Sequence, residues 1–245
     1  MCIRDRSATL RRRRPRARRA TSLGGVTTEN RQKHYKGYLR AGRASRRFFQ
    51  LFAKYDFPDR PAVLDEGGVI VASNHRSFFD LFLAYVLLIS WGEMPRMLVR
   101  GSYFKQPGIG WLLRSTGCIP VHKGEGMNSI DEALVELTNN RPIAIMPEGR
   151  LVPAADRPTG VGEARDGVGV MALKSGAPVL AVGVAGSDRV WPIGKPVPVP
   201  RRKRTNVVIT TTTLHDLSGS AEQVKDQIMG VLADQVHESE AIAQN

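Results

Sequence analysis

Residues 69–80 read VIVASNHRSFFD and decide how the middle of the chain folds. The first five residues are β-branched or small and predict a buried strand, whereas the apolar residues from position 78 onward continue at helical spacing. The stretch therefore runs from a strand through a turn into a helix. In an open α/β sheet, such a turn lies at the carboxyl ends of the strands, where active sites form.

This turn contains a histidine and an aspartate five residues apart. Asp80 falls in the first helical turn, where the helix dipole favours a carboxylate. From there the carboxylate can fold back to one imidazole nitrogen of His75, which fixes the tautomer and leaves the other nitrogen as a base. Such a pair can take a proton from a hydroxyl without a Ser or Cys nucleophile. The spacing alone is equally compatible with a capping Asp and a hydrogen-bonded loop His.

Short apolar runs alternate with helical patterns through the rest of the chain after Pro61. Alternation of this kind predicts an α/β fold in which a sheet is flanked by helices. Strands are predicted over residues 69–73, 96–99, 118–121, 143–146, 179–184 and 207–212. Helices are predicted over residues 78–91, 103–114 (broken), 128–139, 167–175 and 221–236.

A second candidate site segment follows the predicted strand at residues 143–146. Glu148, Gly149 and Arg150 lie in the turn after this strand. The guanidinium of Arg150 suits bidentate phosphate recognition, and the carboxylate of Glu148 can hold it or accept a substrate hydroxyl. A turn with a surface ion pair is the simpler alternative.

A third candidate segment is the predicted strand at residues 118–121. It is preceded by Gly117 and ends in His122 and Lys123. The ammonium of Lys123 is a candidate phosphate contact, although a lysine that only ends a strand in solvent gives the same sequence pattern.

These segments occur in an order that resembles the glycerolipid acyltransferase family, in particular the 1-acyl-glycerol-3-phosphate acyltransferases. The resemblance covers residues 65–240 and departs from the family pattern in three places, one of which is Ala181 where the family often has Pro. In the block at residues 147–150, no Thr separates Gly149 from Arg150. The block that begins at Gly117 ends in His122-Lys123 where the family usually has Arg, and a lysine lacks the fork geometry of a guanidinium. The matching segments are Asn74-His75 with Asp80, Gly117-Cys-Ile-Pro-Val121, Pro147-Glu-Gly-Arg150 and Ala177-Pro-Val-Leu-Ala-Val-Gly183.

The resemblance implies a mixed α/β sheet flanked by helices and an acyl transfer without metal or bound cofactor. The acyl group would pass from acyl-CoA or acyl carrier protein to the free hydroxyl of 1-acyl-glycerol-3-phosphate, giving phosphatidic acid. Another lysophospholipid or a lyso-ornithine lipid is an alternative acceptor. By this likeness His75 is the general base and Asp80 orients it. The residues implied to line the acceptor site are Asn74, Gly117, Lys123, Glu148, Gly149 and Arg150.

The net charge of +13 is concentrated near the start of the chain. Residues 1–60 hold 18 Lys and Arg against 4 Asp and Glu, whereas residues 61–245 hold 18 against 19. Residues 1–30 contain seven Arg between positions 11 and 19 and few apolar side chains, which predicts a disordered extension. The opening MCIRDR also fits a translated cloning remnant that is not native.

Residues 31–60 predict a basic amphipathic helix that spans about residues 33–55. Such a helix can lie on an anionic membrane with its aromatic face down, or it can pack on the domain as an ordinary surface helix. We expect a peripheral protein on the cytoplasmic face of the cell membrane, with residues 61–245 as the acyltransferase domain. The aromatic stripe consists of Tyr35, Tyr38, Leu39, Gly42, Phe49 and Phe52.

Other functional classes find less support. Two cysteines, Cys2 and Cys118, cannot form a disulfide framework or a thiolate zinc cluster. The longest apolar run, residues 81–89, is too short to span a bilayer.

Nucleic-acid binding is the alternative from a different class, because the arginines of the extension could neutralise phosphates. The neutral body carries no motif of that kind, although a Pro-rich loop over residues 192–204 adds a second basic cluster.

Overall fold

The structure is a computed structural model and describes residues 28–244 apart from Lys123 and Glu125. The Arg-rich residues 1–27 and the predicted site residue Lys123 therefore lie outside the described residues. The described helices are α1 (Thr28–Phe49), α2 (Phe79–Ser90), α3 (Ile109–Ser115), α4 (Gly126–Thr138), α5 (Gly167–Ser175), α6 (Ser187–Val190) and α7 (Ala221–Gln244). The described strands are β1 (Ala53–Asp56), β2 (Ile70–Ser73), β3 (Arg96–Arg100), β4 (Ile119–Val121), β5 (Ile143–Ile145), β6 (Val179–Ala185) and β7 (Thr205–Leu214).

The strands form one mixed sheet in the order β1-β7-β6-β2-β5-β3-β4. Strands β6, β2, β5, β3 and β4 run parallel to one another. Strand β7 runs antiparallel to β6 and pairs in parallel with β1. The carboxyl ends of the five mutually parallel strands meet at one edge of the sheet, which we call the carboxyl edge; the opposite edge is the amino edge.

Helices cover both faces of the sheet because successive strand residues point to opposite faces. In β2, Val71 packs in the core formed with α1 and α2. Its neighbours Ile70 and Ala72 pack on the other face with α4, α5 and α7. A Cβ at Gly183 of β6 would lie 2.3 Å from the backbone of α7, so this glycine lets the last helix rest directly on the sheet. The predicted mixed α/β sheet flanked by helices is confirmed.

The predicted strands and helices are present, with boundaries that shift by a few residues in most of them. The broken segment at residues 103–114 is a 3-10 helix (Gly101–Lys105) followed by α3. The break contains Gly108, whose φ of +76° is readily available to glycine. The pattern missed β1, which pairs with β7 and therefore depends on a partner distant in sequence.

The N-terminal helix α1 is present, but it ends at Phe49 instead of continuing to about residue 55. Its aromatic stripe packs on α2. The rings of Tyr38 and Tyr85 lie 4.8 Å apart, and those of Phe49 and Phe79 lie 4.6 Å apart. Tyr38 and Phe49 are buried. Tyr38 and Phe49 therefore belong to the core of the domain, whereas Tyr35 of the same stripe is exposed, and membrane association of this helix stays a prediction.

Candidate active site

His75 and Asp80 lie in contact at the carboxyl edge, after β2 and in the first turn of α2. The imidazole Nδ1 lies 3.0 Å from Oδ2 of Asp80. The same Oδ2 accepts hydrogen bonds from the backbone N–H groups of Arg76 and Ser77, at 2.7 and 2.8 Å. Because a carboxylate oxygen only accepts, Nδ1 carries the ring hydrogen and Nε2 presents its lone pair.

The contact joins a buried acid to an accessible imidazole. The side chain of Asp80 is 2% exposed, whereas that of His75 is 18% exposed. A hydrogen bond is electrostatically stronger in such a buried site than in water. The arrangement can therefore hold Nε2 in place to take a proton from a hydroxyl that reaches it. The spacing predicted this geometry, and the roles of the two side chains stay predictions.

Neighbouring elements hold the turn that carries His75. Both polar atoms of the Asn74 amide bond the backbone of Val184 in β6, at 2.8 and 3.0 Å. The Ser77 hydroxyl donates to the carbonyl of Trp191 at 2.6 Å. The structure thus uses the Asn74 amide to tie the turn to β6, and the substrate contact predicted for this residue stays a prediction.

Arg76, the residue after His75, is a buried cation. Its guanidinium donates to the carbonyl of Gly160 at 2.8 Å and to the carboxylate of Glu240 at 2.6 Å. Glu240 belongs to α7 and lies 164 residues further along the chain. A buried charge is costly without such partners. Arg76 therefore ties the turn to the last helix.

Glu148 supports the same turn from the end of β5 and is itself buried. Its Oε2 accepts from the backbone N–H of His75 at 2.5 Å, and its Oε1 accepts from that of Gly162 at 2.7 Å. Burial raises the pKa of this carboxyl, and the two hydrogen bonds oppose the shift. Both oxygens are thus engaged in positioning backbone, and the acceptor contact predicted for Glu148 stays a prediction.

Guanidinium groups surround Gly149, the residue after Glu148. Arg100 at the end of β3 donates to the carbonyl of Gly149 at 3.1 Å. The side chain of Arg165 packs on the same glycine, where a Cβ would lie 3.1 Å from Nε. Arg150 follows directly in sequence and pairs with Asp156 at 3.0 Å, with both side chains exposed. We call Arg100, Arg150 and Arg165 the arginine cluster.

The arginine cluster places positive charge beside the turn that carries His75, and guanidinium groups bind phosphate bidentately. Sequence reasoning selected Arg150 and missed the other two members. Arg100 ends a parallel strand, so the rule that selected Lys123 could also have found it. Arg165 stands in a turn before α5, and its packing on Gly149 becomes visible only in the fold.

Gly117 does not lie at the carboxyl edge. It precedes β4 at the amino edge, with a φ of +72°, and its carbonyl accepts from Arg96 at 2.7 Å. A Cβ at this position would lie 2.5 Å from the ring of His34. The predicted substrate contact of Gly117 is therefore corrected to a packing role. Lys123 lies outside the described residues, and its phosphate contact stays a prediction.

An apolar cavity of about 60 Å³ lies between α2 and the sheet. Asp80 lines it together with apolar side chains such as Leu83, Met97 and Val182. Within the described residues, Oδ1 of Asp80 has no hydrogen-bond partner. The cavity is far smaller than the roughly 300–1,000 Å³ of small-molecule sites, so a long apolar ligand entering here must displace side chains.

Other candidate chemistry is absent from the described residues. Cys118 is buried, and burial raises the pKa of its thiol, which keeps it protonated and a poor nucleophile. In residues 28–244 apart from Lys123 and Glu125, no group of three or more His, Cys, Asp or Glu side chains could hold a metal ion. Across the same part of the chain, no helix has both the length and the apolar character needed to cross a membrane.

Residues 49–185, more than half of the chain, match the family model described as Acyltransferase, and the chain belongs to this family. A chloroplastic 1-acyl-sn-glycerol-3-phosphate acyltransferase of Brassica napus is 25% identical to it over 128 residues. The corresponding chloroplastic enzyme of Arabidopsis thaliana is 23% identical over 128 residues. These matches cover 51% of this chain but 35% and 34% of the relatives, so the chain spans about a third of their length.

A solved structure has the same fold. The crystal structure of the 1-acyl-sn-glycerophosphate acyltransferase of Thermotoga maritima superposes with a TM-score of 0.66 at 20% identity. The superposition covers 86% of this chain and 81% of that one. The family resemblance found in the sequence is confirmed, and so is the fold that it implied.

Proposed function

We propose that this chain is an O-acyltransferase that uses acyl-CoA or acyl carrier protein as donor and 1-acyl-glycerol-3-phosphate as acceptor, giving phosphatidic acid. The observation that carries the proposal is the contact between Nδ1 of His75 and Oδ2 of Asp80, which leaves Nε2 for the acceptor hydroxyl. Membership of the Acyltransferase family supports the reaction type.

In the proposed step, His75 acts as the general base and Asp80 as the residue that orients it. Nε2 takes the hydroxyl proton while the hydroxyl oxygen attacks the thioester carbonyl and forms the new C–O bond. The tetrahedral intermediate then collapses, the C–S bond breaks, and the thiolate takes the proton from Nε2. The products are an ester and a free thiol, and His75 returns to its starting state without a metal or a bound cofactor.

The tetrahedral oxyanion needs hydrogen-bond donors. The backbone amides of Arg76 and Ser77 donate to Asp80, and the amide of His75 donates to Glu148. These amides are already engaged. We therefore propose that the oxyanion takes its donors from other backbone amides of the turns at the carboxyl edge.

The arginine cluster is proposed to bind the acceptor phosphate, with Lys123 assisting and with Asn74, Glu148 and Gly149 shaping the site. Arg150 would exchange its exposed partner Asp156 for the phosphate, at little cost because exposed ion pairs are weak. Three guanidinium groups favour an acceptor with a phosphate over a lyso-ornithine lipid. Other lysophospholipids remain alternative acceptors that an acceptor panel distinguishes.

The reaction joins a water-soluble donor to a lipid acceptor and must therefore take place at a membrane surface. We propose that the chain is a peripheral protein on the cytoplasmic face of the cell membrane, where both donors are present. The exposed apolar side chains Phe48 and Leu51 at the end of α1 support membrane contact at this end of the helix.

The test is release of free thiol by the full-length chain with acyl-CoA or acyl carrier protein, against a panel of lysolipid acceptors. We expect phosphatidic acid, identified by mass spectrometry, as the main product. A His75→Ala variant should release no thiol above background, while the matched His215→Ala variant, at an exposed position, should keep the full rate. Full activity of His75→Ala would show that His75 is not the general base. Failure of the wild-type chain to acylate any lysolipid would overturn the proposed function.

A further inference from the structure

A Pro-rich segment between α6 and β7 plays no part in the proposed chemistry. Residues 191–204, which we call the cationic loop, read WPIGKPVPVPRRKR. The loop contains five Lys and Arg residues and no Asp or Glu. The cations from Arg201 to Arg204 are all exposed. Arg201 and Arg204 donate to the backbone carbonyls of Arg189 and Gln50, and no carboxylate of the described residues forms an ion pair with this run. Such a concentration of unpaired positive charge attracts an anionic surface.

The cationic loop is fixed to the candidate active site at its first residue. The carbonyl of Trp191 accepts from the Ser77 hydroxyl at 2.6 Å, two residues after His75. The indole of Trp191 lies 6.0 Å from the ring of Phe78 and 6.2 Å from the ring of Phe49, measured between centroids. The loop therefore begins beside the turn that carries the proposed base.

The other end of the loop is fixed to the end of α1. Arg204 donates to the carbonyl of Gln50 at 3.2 Å, and the backbone N–H of Thr205 donates to the carbonyl of Phe52 at 2.9 Å. The backbone N–H of Val199 in the loop donates to the carbonyl of Val190 at the end of α6, at 2.9 Å. The loop and the end of α1 thus form one continuous surface at the carboxyl edge.

This surface exposes large apolar side chains among the cations. Leu51 is 68% exposed, Val197 is 62% exposed and Phe48 is 50% exposed. Ile193 of the loop and Phe78 of the turn are also exposed. Exposed apolar groups rimmed by positive charge are typical of proteins that lie in the interface of an anionic membrane. The buried side chains Tyr38 and Phe49 of α1 cannot serve this purpose.

We propose that the cationic loop and the end of α1 dock on the surface of an anionic phospholipid bilayer. Val197 and Ile193 enter the boundary between headgroups and acyl chains, and the cations from Arg201 to Arg204 bind the phosphates. The hydrogen bond between Ser77 and Trp191 then sets the proposed base close to that surface. The inference rests on the proposed function because the acceptor lipid lies in the same bilayer.

The first test is sedimentation of the full-length chain with phosphatidylcholine vesicles that do or do not contain phosphatidylglycerol. Each cation near the surface contributes about fivefold to the partition coefficient. The triple variant Arg201→Gln, Arg202→Gln, Lys203→Gln should therefore partition about 100-fold less onto the anionic vesicles. The matched variant Lys36→Gln, Arg40→Gln, Arg43→Gln removes the same charge from exposed positions of α1 and should lose much less. Equal losses in the two variants would overturn the proposal.

The second test locates the loop in the bilayer. A Val197→Trp variant should gain fluorescence that brominated phospholipids quench, whereas Val135→Trp, at an exposed position on α4, should not be quenched. Absence of quenching at position 197 would overturn the insertion. If the triple variant instead loses binding to a DNA duplex and keeps its vesicle binding, the loop is a nucleic-acid surface and the proposal is wrong.

Thiol release separates this inference from the proposed function. With acceptor dispersed in a non-ionic detergent, the triple variant should keep its kcat, and with acceptor in anionic vesicles its rate should fall along with its binding. A wild-type chain that docks through the loop but acylates no lysolipid would overturn the proposed function alone. A triple variant that binds vesicles as the wild type does would overturn the docking surface alone.

Discussion

The turn that carries His75 and the arginine cluster lie at the same edge of the sheet but are held very differently. The turn is tied by side-chain hydrogen bonds to β6, to Glu148 and to α7. The arginine cluster is attached through a backbone carbonyl and an exposed carboxylate. Proton transfer requires a fixed geometry, whereas a charge attracts a phosphate over a longer distance. We therefore expect substitutions in the turn to change the rate of the chemical step and substitutions in the arginine cluster to change acceptor affinity.

The largest expected loss comes from Asp80→Asn. The amide has nearly the same size, and its oxygen can still accept from the two backbone N–H groups and the imidazole, but it carries no negative charge to stabilise the imidazolium that forms when His75 takes the proton. We expect kcat to fall about 1,000-fold and the KM for lysophosphatidate to change little. Steady-state thiol release measures both, with Asp65→Asn at an exposed carboxylate as the control. A fall in affinity without a fall in kcat would contradict the comparison.

The next largest loss is expected for Glu148→Gln. One of the two backbone amides that the carboxylate holds must then face an NH₂ group and lose its acceptor. An unsatisfied buried donor costs about 1–3 kcal/mol of unfolding free energy, and displacement of His75 should lower kcat between about 10- and 100-fold. Urea unfolding and thiol release give the two values. A stable variant with wild-type kcat would show that Glu148 does not position the turn.

The pH dependence of this substitution has a definite sign. Burial raises the pKa of Glu148 above its ordinary 4.5, so the folded state holds the proton more tightly than the unfolded state. The contribution of this carboxyl to the unfolding free energy is complete below its unfolded-state pKa and falls as pH rises through the raised folded-state pKa. The stability advantage of the wild type over Glu148→Gln should therefore be larger at pH 4 than at pH 7, as urea unfolding at both values would show.

A smaller effect, of the opposite kind, is expected in the arginine cluster. Arg150→Gln should raise the KM for lysophosphatidate about tenfold, because it removes a charged hydrogen-bond donor at an exposed site. Its kcat should stay within about twofold of the wild type, since the turn is untouched. Lys174→Gln, which removes an exposed cation from α5, is the control. A fall in kcat at unchanged KM would mean that Arg150 acts on the chemical step.

The smallest effect on activity is expected for Gly117→Ala. The added Cβ meets the ring of His34, and the position has a positive φ, so the unfolding free energy should fall by about 1–3 kcal/mol. The kcat and KM of the folded variant should equal those of the wild type, because Gly117 lies at the amino edge. Selective loss of acceptor affinity would restore the substrate contact that the sequence predicted.

The sequence predicted six of the seven described strands, most of the helices and the contact of His75 with Asp80, because these depend on neighbours within a few residues. It could not predict the contact of Arg76 with Glu240 or the pairing of β1 with β7, which join distant segments. The stripe of α1 illustrates a second limit. An apolar helix face has the same pattern whether it packs on lipid or on another helix, so the sequence left both choices open.

Gly117 shows a third limit. The family resemblance placed Gly117 among the site residues. A glycine beside a strand lies at the amino edge if it precedes the strand and at the carboxyl edge if it follows it, and Gly117 precedes β4. Arg100 was overlooked although it ends a parallel strand, and its contact with Gly149, which follows β5, is visible only in the fold.

The bond between Arg76 and Glu240 also bears on how the protein matures during synthesis. The stretch from Asn74 to Asp80 is translated before Glu240, one of its supports, which lies near the end of α7. In a nascent chain that has not yet produced α7, the turn that carries His75 lacks this support and Arg76 lacks its carboxylate partner. We expect the ribosome-bound chain to gain its activity only after the last helix has been released and has docked on β6.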